Sequence, residues 1–350
     1  MNPLKKNIRV ALIGYGYAGR TFHAPVIGAV TGLDLTTVGS RDAAKVHEKL
    51  PAVTVRPPEE AAVHADIDLV VLATPNDTHF PLAAAALRAG KHVVVDKPFT
   101  VTFEEAQELA AIAKAHDCIL SVFHNRRWES EVLAMKEVLA TGALGEVVHY
   151  ECHMDRYRPN VRQRWREDVG PGAGLWFDLG PHMIDLAMHL FGRPTSVQAD
   201  LAIMRKGGQT DDWGHAILHY PNMRAVLHAS LLVSGGVARE TLHGTQATWI
   251  KRGLDTQEAQ LQQGMTPYSE GFGVDPDDAV LYDGATGAQT PMPVPAGCQQ
   301  LFYEGMRDAI WNNTLPPVTI DEAIDVMEVL MGCYESARTG CTVPLFTTNR

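Results

Sequence analysis

Short apolar runs recur at regular intervals through the first third of the chain. Ile8–Ile13, Leu33–Gly39, Leu69–Ala73, His92–Val95 and Ile119–Phe123 are rich in Val, Ile and Leu and show no polar alternation. That is the pattern of strands buried on both faces of a parallel sheet. Between them, Phe80–Ala89 and Phe103–His116 carry Ala-rich helical periodicity. Strand and helix in alternation predict a doubly wound α/β (Rossmann) domain over residues 1–125.

The rhythm changes after Asn125. A helix at Ser130–Ala140 leads into a long strand pattern at Glu146–Tyr157, a Gly-rich turn and a helix at about Leu179–Phe191. Strand-like runs then follow one another at Ser196–Met204, Trp213–Tyr220, Arg224–Val233, Arg239–His243 and Thr248–Lys251. Strands without intervening helices make an antiparallel sheet. Residues 252–297, rich in Gln, Gly, Pro and Asp, read as long surface loops. Helices at Gln299–Asn312 and Ile320–Arg338 close the chain. Residues 126–350 are thus expected to form an α+β domain on a large, mostly antiparallel open sheet, its final helix a candidate to pack back on the first domain. Apolar residues on both faces of Arg224–Val233 predict that the sheet's free face meets a partner subunit.

Composition sharpens this. A chain of 350 residues, 45% apolar and 20% charged, suits two globular domains. A formal charge of −11 offers nucleic acid little purchase. The cysteines Cys118, Cys152, Cys298, Cys333 and Cys341 are scattered, with no CxxC pair, so neither zinc site nor disulfide framework is expected. No apolar run of about 18 residues is present to span a membrane. Lys5-Lys6 leads directly into the first strand and a glycine loop rather than a secretory signal. The expected compartment is the cytoplasm.

The glycine loop carries the first chemistry. Gly14-Tyr15-Gly16-Tyr17-Ala18-Gly19 follows a strand and opens a helix, the context in which GxGxxG binds a dinucleotide. Gly14 permits the tight turn, Gly16 lets backbone approach a pyrophosphate, and Gly19 lets helix pack on strand. The second strand ends in Ser40-Arg41 without a well-placed acid. Arg41 and Ser40 suit a ribose 2′-phosphate, so NADP is the expected cofactor, with NAD still possible. The alternative is a helix cap at Ser40 and a solvated Arg41. Thr74-Pro75-Asn76, with His79 close behind, lies at the carboxyl end of a strand, where cofactors bind; an ordinary turn would look the same.

Val93-Val94-Val95 runs into Asp96-Lys97-Pro98. A lysine there can hydrogen-bond a substrate oxygen and stabilise a developing alkoxide, or simply form a surface pair with Asp96. Further on, Asp178 and His182 are four residues apart, on one face of a helical turn. An imidazole oriented by a carboxylate can take a proton from an alcohol. Two plainer readings stay open: Asp178 as a helix cap before Pro181, and His182 as a satisfied buried histidine. Asp185 and His189 extend the series, but four ligands along one helix span too far for one ion, so no metal is expected.

The glycine loop, Thr74-Pro75-Asn76 and Asp96-Lys97-Pro98 together resemble the glucose–fructose oxidoreductase/inositol dehydrogenase (Gfo/Idh/MocA) family, with Asp96 where that family usually has glutamate. Phe123-His124-Asn125-Arg126-Arg127-Trp128, Arg156-Tyr157-Arg158-Pro159 and Arg164-Trp165-Arg166-Glu167 look most like its NADP-dependent scyllo-inositol dehydrogenase branch. The resemblance implies an NAD(P)-dependent oxidoreductase that interconverts a secondary alcohol and ketone of a cyclitol or sugar, assembled as a homodimer or homotetramer through the C-terminal sheet. It places the family's catalytic Lys, Asp and His on Lys97, Asp178 and His182. Asp96, Lys97, Asn125 and Trp165 join the cofactor-binding residues, and Lys97, Arg127, Tyr157, Arg158, Asp178 and His182 the substrate-binding ones; repeated Arg with Tyr and Trp suits a polyol, while a surface salt-bridge network would look the same. The family also contains non-catalytic NADP-binding regulators and enzymes of redox-assisted glycoside cleavage or dihydrodiol reduction. A regulator would not need all three catalytic residues.

Overall fold

The computed structural model describes residues 6–345. The first stretch alternates as expected: β1 (Ile8–Ile13), α1 (Ala24–Ala29), β2 (Leu33–Gly39), α2 (Ala43–His47), β3 (Thr54–Arg56) and α3 (Pro58–Ala62). It continues through β4 (Leu69–Leu72), α4 (His79–Arg88), β5 (His92–Val95), α5 (Phe103–Ala115) and β6 (Leu120–Val122). Next come α6 (Ser130–Thr141), β7 (Val147–His153), α7 (Leu175–Phe191), β8 (Ser196–Ala202), β9 (Trp213–His219) and β10 (Arg224–Ser230). The chain ends with β11 (Glu240–Gly244), β12 (Ala247–Lys251), α8 (Gln257–Gln262), β13 (Ala279–Asp283), β14 (Gln289–Met292), α9 (Gln300–Asn312), α10 (Ile320–Thr339) and β15 (Val343–Pro344).

These elements form two compact units, and the division is not linear. The first contains the chain up to Trp128 together with Thr256–Gly273 and Cys298–Ile324; the second contains Glu129–Asp255, Val274–Gly297 and the chain from Asp325 onward. A single boundary at 125/126 is therefore too simple.

In the first unit the six strands are all parallel, in the order β3-β2-β1-β4-β5-β6. The order reverses between β1 and β4, which brings their carboxyl ends together at the switch point where such sheets bind ligands. Val10, Leu12, Val71 and Val94 fill the core, as their uninterrupted apolar runs require. Phe302, Tyr303 and Met306 of α9 and Leu261 of α8 complete it. The Phe302 ring stands edge-on to Phe123 at 4.9 Å.

The second unit is a nine-stranded sheet in the order β14-β13-β12-β11-β7-β10-β9-β8-β15. Every neighbouring pair with a recorded register is antiparallel except β7 and β10. Helix α7 lies on β9 and β10. Gly214 permits this approach, because a Cβ there would come within 2.4 Å of the Trp176 ring. Tyr150, Cys152, Ala216, Leu218, Ala225 and Leu227 are buried on strands β7, β9 and β10. The alternating positions are half-buried and carry His149, Glu151, His153, His215, Val226, His228 and, on β11, His243. Trp213, Ile217 and Ile250 share that face, so it mixes histidines and a carboxylate with apolar side chains.

Residues 252–297 are not simply loops. They contain α8, β13 and β14. Each is too short to announce itself by periodicity, and β13 forms because β12 offers it an edge. No helix among the described residues is long and apolar enough to cross a membrane.

Candidate active site

The three glycines of the loop answer to different demands. Gly14 has φ +95°, and a Cβ there would lie 2.4 Å from the Ala73 carbonyl oxygen. A Cβ on Gly19 would lie 2.2 Å from the Gly14 carbonyl oxygen. The chain itself requires both. A Cβ on Gly16 meets nothing within 4 Å, so its bare backbone serves whatever approaches from outside, which is what a pyrophosphate demands. Behind the loop, Gly19–His23 forms a widened helical turn in which the Ala24 N–H donates to Gly19 O, directly before Pro25. The Tyr15 side chain turns into the core. Tyr17 is 51% exposed, and its hydroxyl donates to Glu258 Oε1 at 2.5 Å.

At the end of β2, Ser40 Oγ accepts from the Asp42 N–H at 3.1 Å. Asp42, not Ser40, caps α2, accepting from the Lys45 N–H at 3.0 Å. Asp42 is thus occupied, while the Arg41 side chain is 86% exposed, with a long contact to Glu59 at 3.8 Å.

At the ends of β4 and β5, Thr78 Oγ1 donates to Thr74 Oγ1 at 2.7 Å, and Asn76 is buried. The His79 ring is 1% exposed, lying 3.0 Å from the Thr74 carbonyl and 2.9 Å from that of Pro98. It ties one strand end to the other, across the cis Lys97–Pro98 peptide. Burial pushes the ring's pKa down, with Asp96 opposing. His79 therefore braces the ends of β4 and β5 behind the loops. Asp96 also turns inward. Its Oδ1 accepts from the Lys97 N–H at 2.8 Å, and its Oδ2 lies 3.7 Å from His23 Nε2. His23 is fully buried, its Nδ1 2.5 Å from the Tyr303 hydroxyl. Burial alone would raise the Asp96 carboxyl, but His23, Lys97 and His79 together hold it below its ordinary value. Nothing in the sequence marked His23 as a partner.

Asn125 sits, 8% exposed, in the tight turn Asn125–Trp128. Arg127 is 4% exposed and donates to Glu322 Oε1 at 2.8 Å. Its guanidinium depresses the Glu322 carboxyl against the effect of burial.

In the second unit, helix α7 begins four residues earlier than its pattern suggests. Gly174, at φ +103°, stands before it. Asp211 caps it from a distant loop: its carbonyl accepts from the Leu175 N–H at 2.8 Å, and its Oδ2 accepts from the Trp176 N–H at 2.6 Å. Asp178 is thus relieved of capping, and Pro181 lies inside the helix. Asp178 and His182 fall one turn apart on the same face, with Arg166 Nε 3.6 Å from Asp178 Oδ1. Arg164, Arg166, Thr210 and Asp211 line a small polar cavity with Asp178. His182 is 6% exposed and Asp185 1%, while His189 Nε2 lies 3.1 Å from Lys136 Nζ. No metal set forms along this helix among the described residues.

An exposed arm precedes α7. Tyr157 is 60% exposed and Trp165 38%, with the Arg166 guanidinium stacked 4.5 Å over the Trp165 ring. Arg205, missed in the sequence, holds the arm from beneath. It donates to the Arg158 and Asn160 carbonyls, each at 3.2 Å, and to Glu167 Oε2 at 3.1 Å. Burial would raise the Glu167 carboxyl, but the Arg162 N–H and the Arg162 and Arg164 guanidiniums bring it down to about 2.

Two family descriptions match the chain: "Oxidoreductase family, NAD-binding Rossmann fold" (GFO_IDH_MocA) over residues 8–124, and "Oxidoreductase family, C-terminal alpha/beta domain" over residues 136–345. The uncharacterized oxidoreductase YdgJ of Escherichia coli is 48% identical over 98% of this chain and 100% of its own length. The scyllo-inositol 2-dehydrogenase (NADP(+)) IolW of Bacillus subtilis is 32% identical over 97% of this chain and 96% of its own. A crystal structure of a putative oxidoreductase from Klebsiella pneumoniae superposes with a TM-score of 0.92 at 47% identity, covering 99% of this chain and 97% of that one.

Proposed function

Because this chain belongs to the Gfo/Idh/MocA family of oxidoreductases, we propose that its NAD(P)-dependent dehydrogenase/reductase activity is directed at a secondary alcohol or ketone of a cyclitol or sugar. The observation that carries this reading is the start of α7. With Asp211 as the cap, Asp178 is left beside His182 on one helical face, the arrangement of a base and its orienting carboxylate. The exposed Tyr157 and stacked Trp165–Arg166 pair suit a ring bearing many hydroxyls. The Bacillus subtilis relative is named for such a ring.

When bound, the nicotinamide supplies the hydride acceptor or donor. The bare backbone at Gly16 fits its pyrophosphate. Arg41 and Ser40 suit a 2′-phosphate, favouring NADP. His182 takes the hydroxyl proton during oxidation and returns it during reduction. Asp178 orients the imidazole and stabilises its charged form. Lys97, its backbone pinned by Asp96, donates a hydrogen bond to the reacting oxygen as charge develops. No disulfide forms among the described residues, which suits work in the reducing cytoplasm.

The test is a screen of inositol isomers and aldoses with NADP and NAD, following reduced-nicotinamide absorbance. On the best substrate, His182→Ala should lower kcat about 100-fold or more while cofactor affinity stays within a few-fold. Wild-type kcat in that variant removes the proposal.

A further inference from the structure

Across the outward face of the nine-stranded sheet, three neighbouring strands place polar side chains in one row. His149 on β7 pairs directly with His243 on β11, which pairs with Thr248 on β12. Side chains opposite one another in an antiparallel pair stand on the same face about 5 Å apart. The two imidazoles lie accordingly, 5.3 Å between centroids and 25° from parallel. Glu151, two residues along β7, returns to the same face, its Oε1 3.3 Å from His149 Nε2. One ligand atom each of His149, Glu151 and His243 lies within 4.8 Å of those of the other two, and all three residues are half-buried.

We propose that His149, Glu151 and His243 form a site for a borderline transition-metal dication of the Zn2+ class, bridging β7 and β11. Two imidazoles and one carboxylate are the donor set such ions prefer, and oxygen-seeking Mg2+ and Ca2+ do not. The surroundings are those of a supported site. His243 Nδ1 lies 3.1 Å from Thr248 Oγ1; donating that N–H to the hydroxyl leaves the Nε2 lone pair for the metal, the orienting contact that ligating histidines usually have. The second Glu151 oxygen is held 3.2 Å from His153 Nε2, so one oxygen ligates while the other is fixed. Arg224, opposite His149 on β10, folds its guanidinium back onto the Tyr220 and Met223 carbonyls at 2.8 and 2.9 Å. Three protein ligands leave a fourth position to water or another donor. The site lies apart from Lys97, Asp178 and His182 in its residues and chemistry, and it does not depend on the proposed reaction.

The test is titration of the tag-free, chelator-treated full chain with Zn2+ by calorimetry, with Mg2+ as the contrast. The expected result is one high-affinity Zn2+ per chain, no comparable Mg2+ binding, and a higher Tm with Zn2+. His149→Ala and His243→Ala should each weaken binding at least 10-fold while leaving the metal-free Tm within a few degrees. Thr248→Val, which keeps the side chain's shape and removes the orienting oxygen, should weaken it about 10-fold. Absence of stoichiometric Zn2+ binding overturns the proposal, as does equal affinity in the doubly substituted His149→Ala/His243→Ala chain, which would place the ion elsewhere.

Discussion

Arg41 shows how much one residue's meaning depends on its neighbour. On the sequence alone, Ser40 competes for the helix cap, and Asp42 is an acid near the position where NAD's ribose is read. With Asp42 spent on the Lys45 N–H, the only strong recognition element left at that strand end is the exposed guanidinium. Arg41→Ala should therefore raise KM for NADP about 10-fold and leave KM for NAD nearly unchanged. An unaltered ratio of the two constants would count against NADP recognition here. The glycines of the loop were legible because their demands are local: a turn, a close packing, a bare backbone. The partners of His79, Asp96 and Arg127 were not, because they come from elsewhere in the chain. The Pro98 carbonyl lies 19 residues from His79, and Glu322 lies 195 residues from Arg127.

Among elements, α7 matters most, and its start was read too late. Pro181 resembles a first-turn proline with Asp178 as its cap, and nothing local marks the earlier start. The structure places the cap in a loop between β8 and β9, where burial raises the Asp211 carboxyl to about 6 in spite of the Trp176 and Leu175 N–H groups and the Tyr334 hydroxyl. A carboxyl raised in the folded state gives its full stabilisation below the unfolded value of 3.8 and loses it as pH rises through about 6. The loss is on the order of 2–3 kcal/mol. Asp211→Asn keeps an acceptor for Trp176 and cannot ionise, so its Tm relative to wild type should climb between pH 4 and pH 7. Parallel Tm curves across that range would contradict this account of the cap. The long strands and helices were legible because their hydrophobic period persists over several turns or pleats. Helix α8 and strands β13 and β14 were not, since their four to six residues form on edges and surfaces supplied by other parts of the chain.

At the scale of the whole molecule, both architectures were readable, a parallel six-stranded sheet and a mostly antiparallel larger one. Their exchange of segments was not. The first unit borrows Thr256–Gly273 and Cys298–Ile324, and with them Leu261, Phe272, Phe302, Tyr303, Met306 and Val318 of its core. A fragment of residues 1–125 should consequently lack a fixed core. It should bind a hydrophobic dye and give weak near-UV dichroism while keeping much of its far-UV signal. A cooperative thermal transition in that fragment would show that α9 is dispensable to the fold.

The same borrowing sets a timetable for synthesis. Phe302 and Tyr303 reach the solvent only when most of the polypeptide has left the ribosome, so the nucleotide-binding half, although made first, must wait with its aromatic cavity open. During that interval Phe123 and His23 lack the rings that later cover them. The nascent chain then exposes a sticky surface for most of its translation, the kind of segment that chaperones hold.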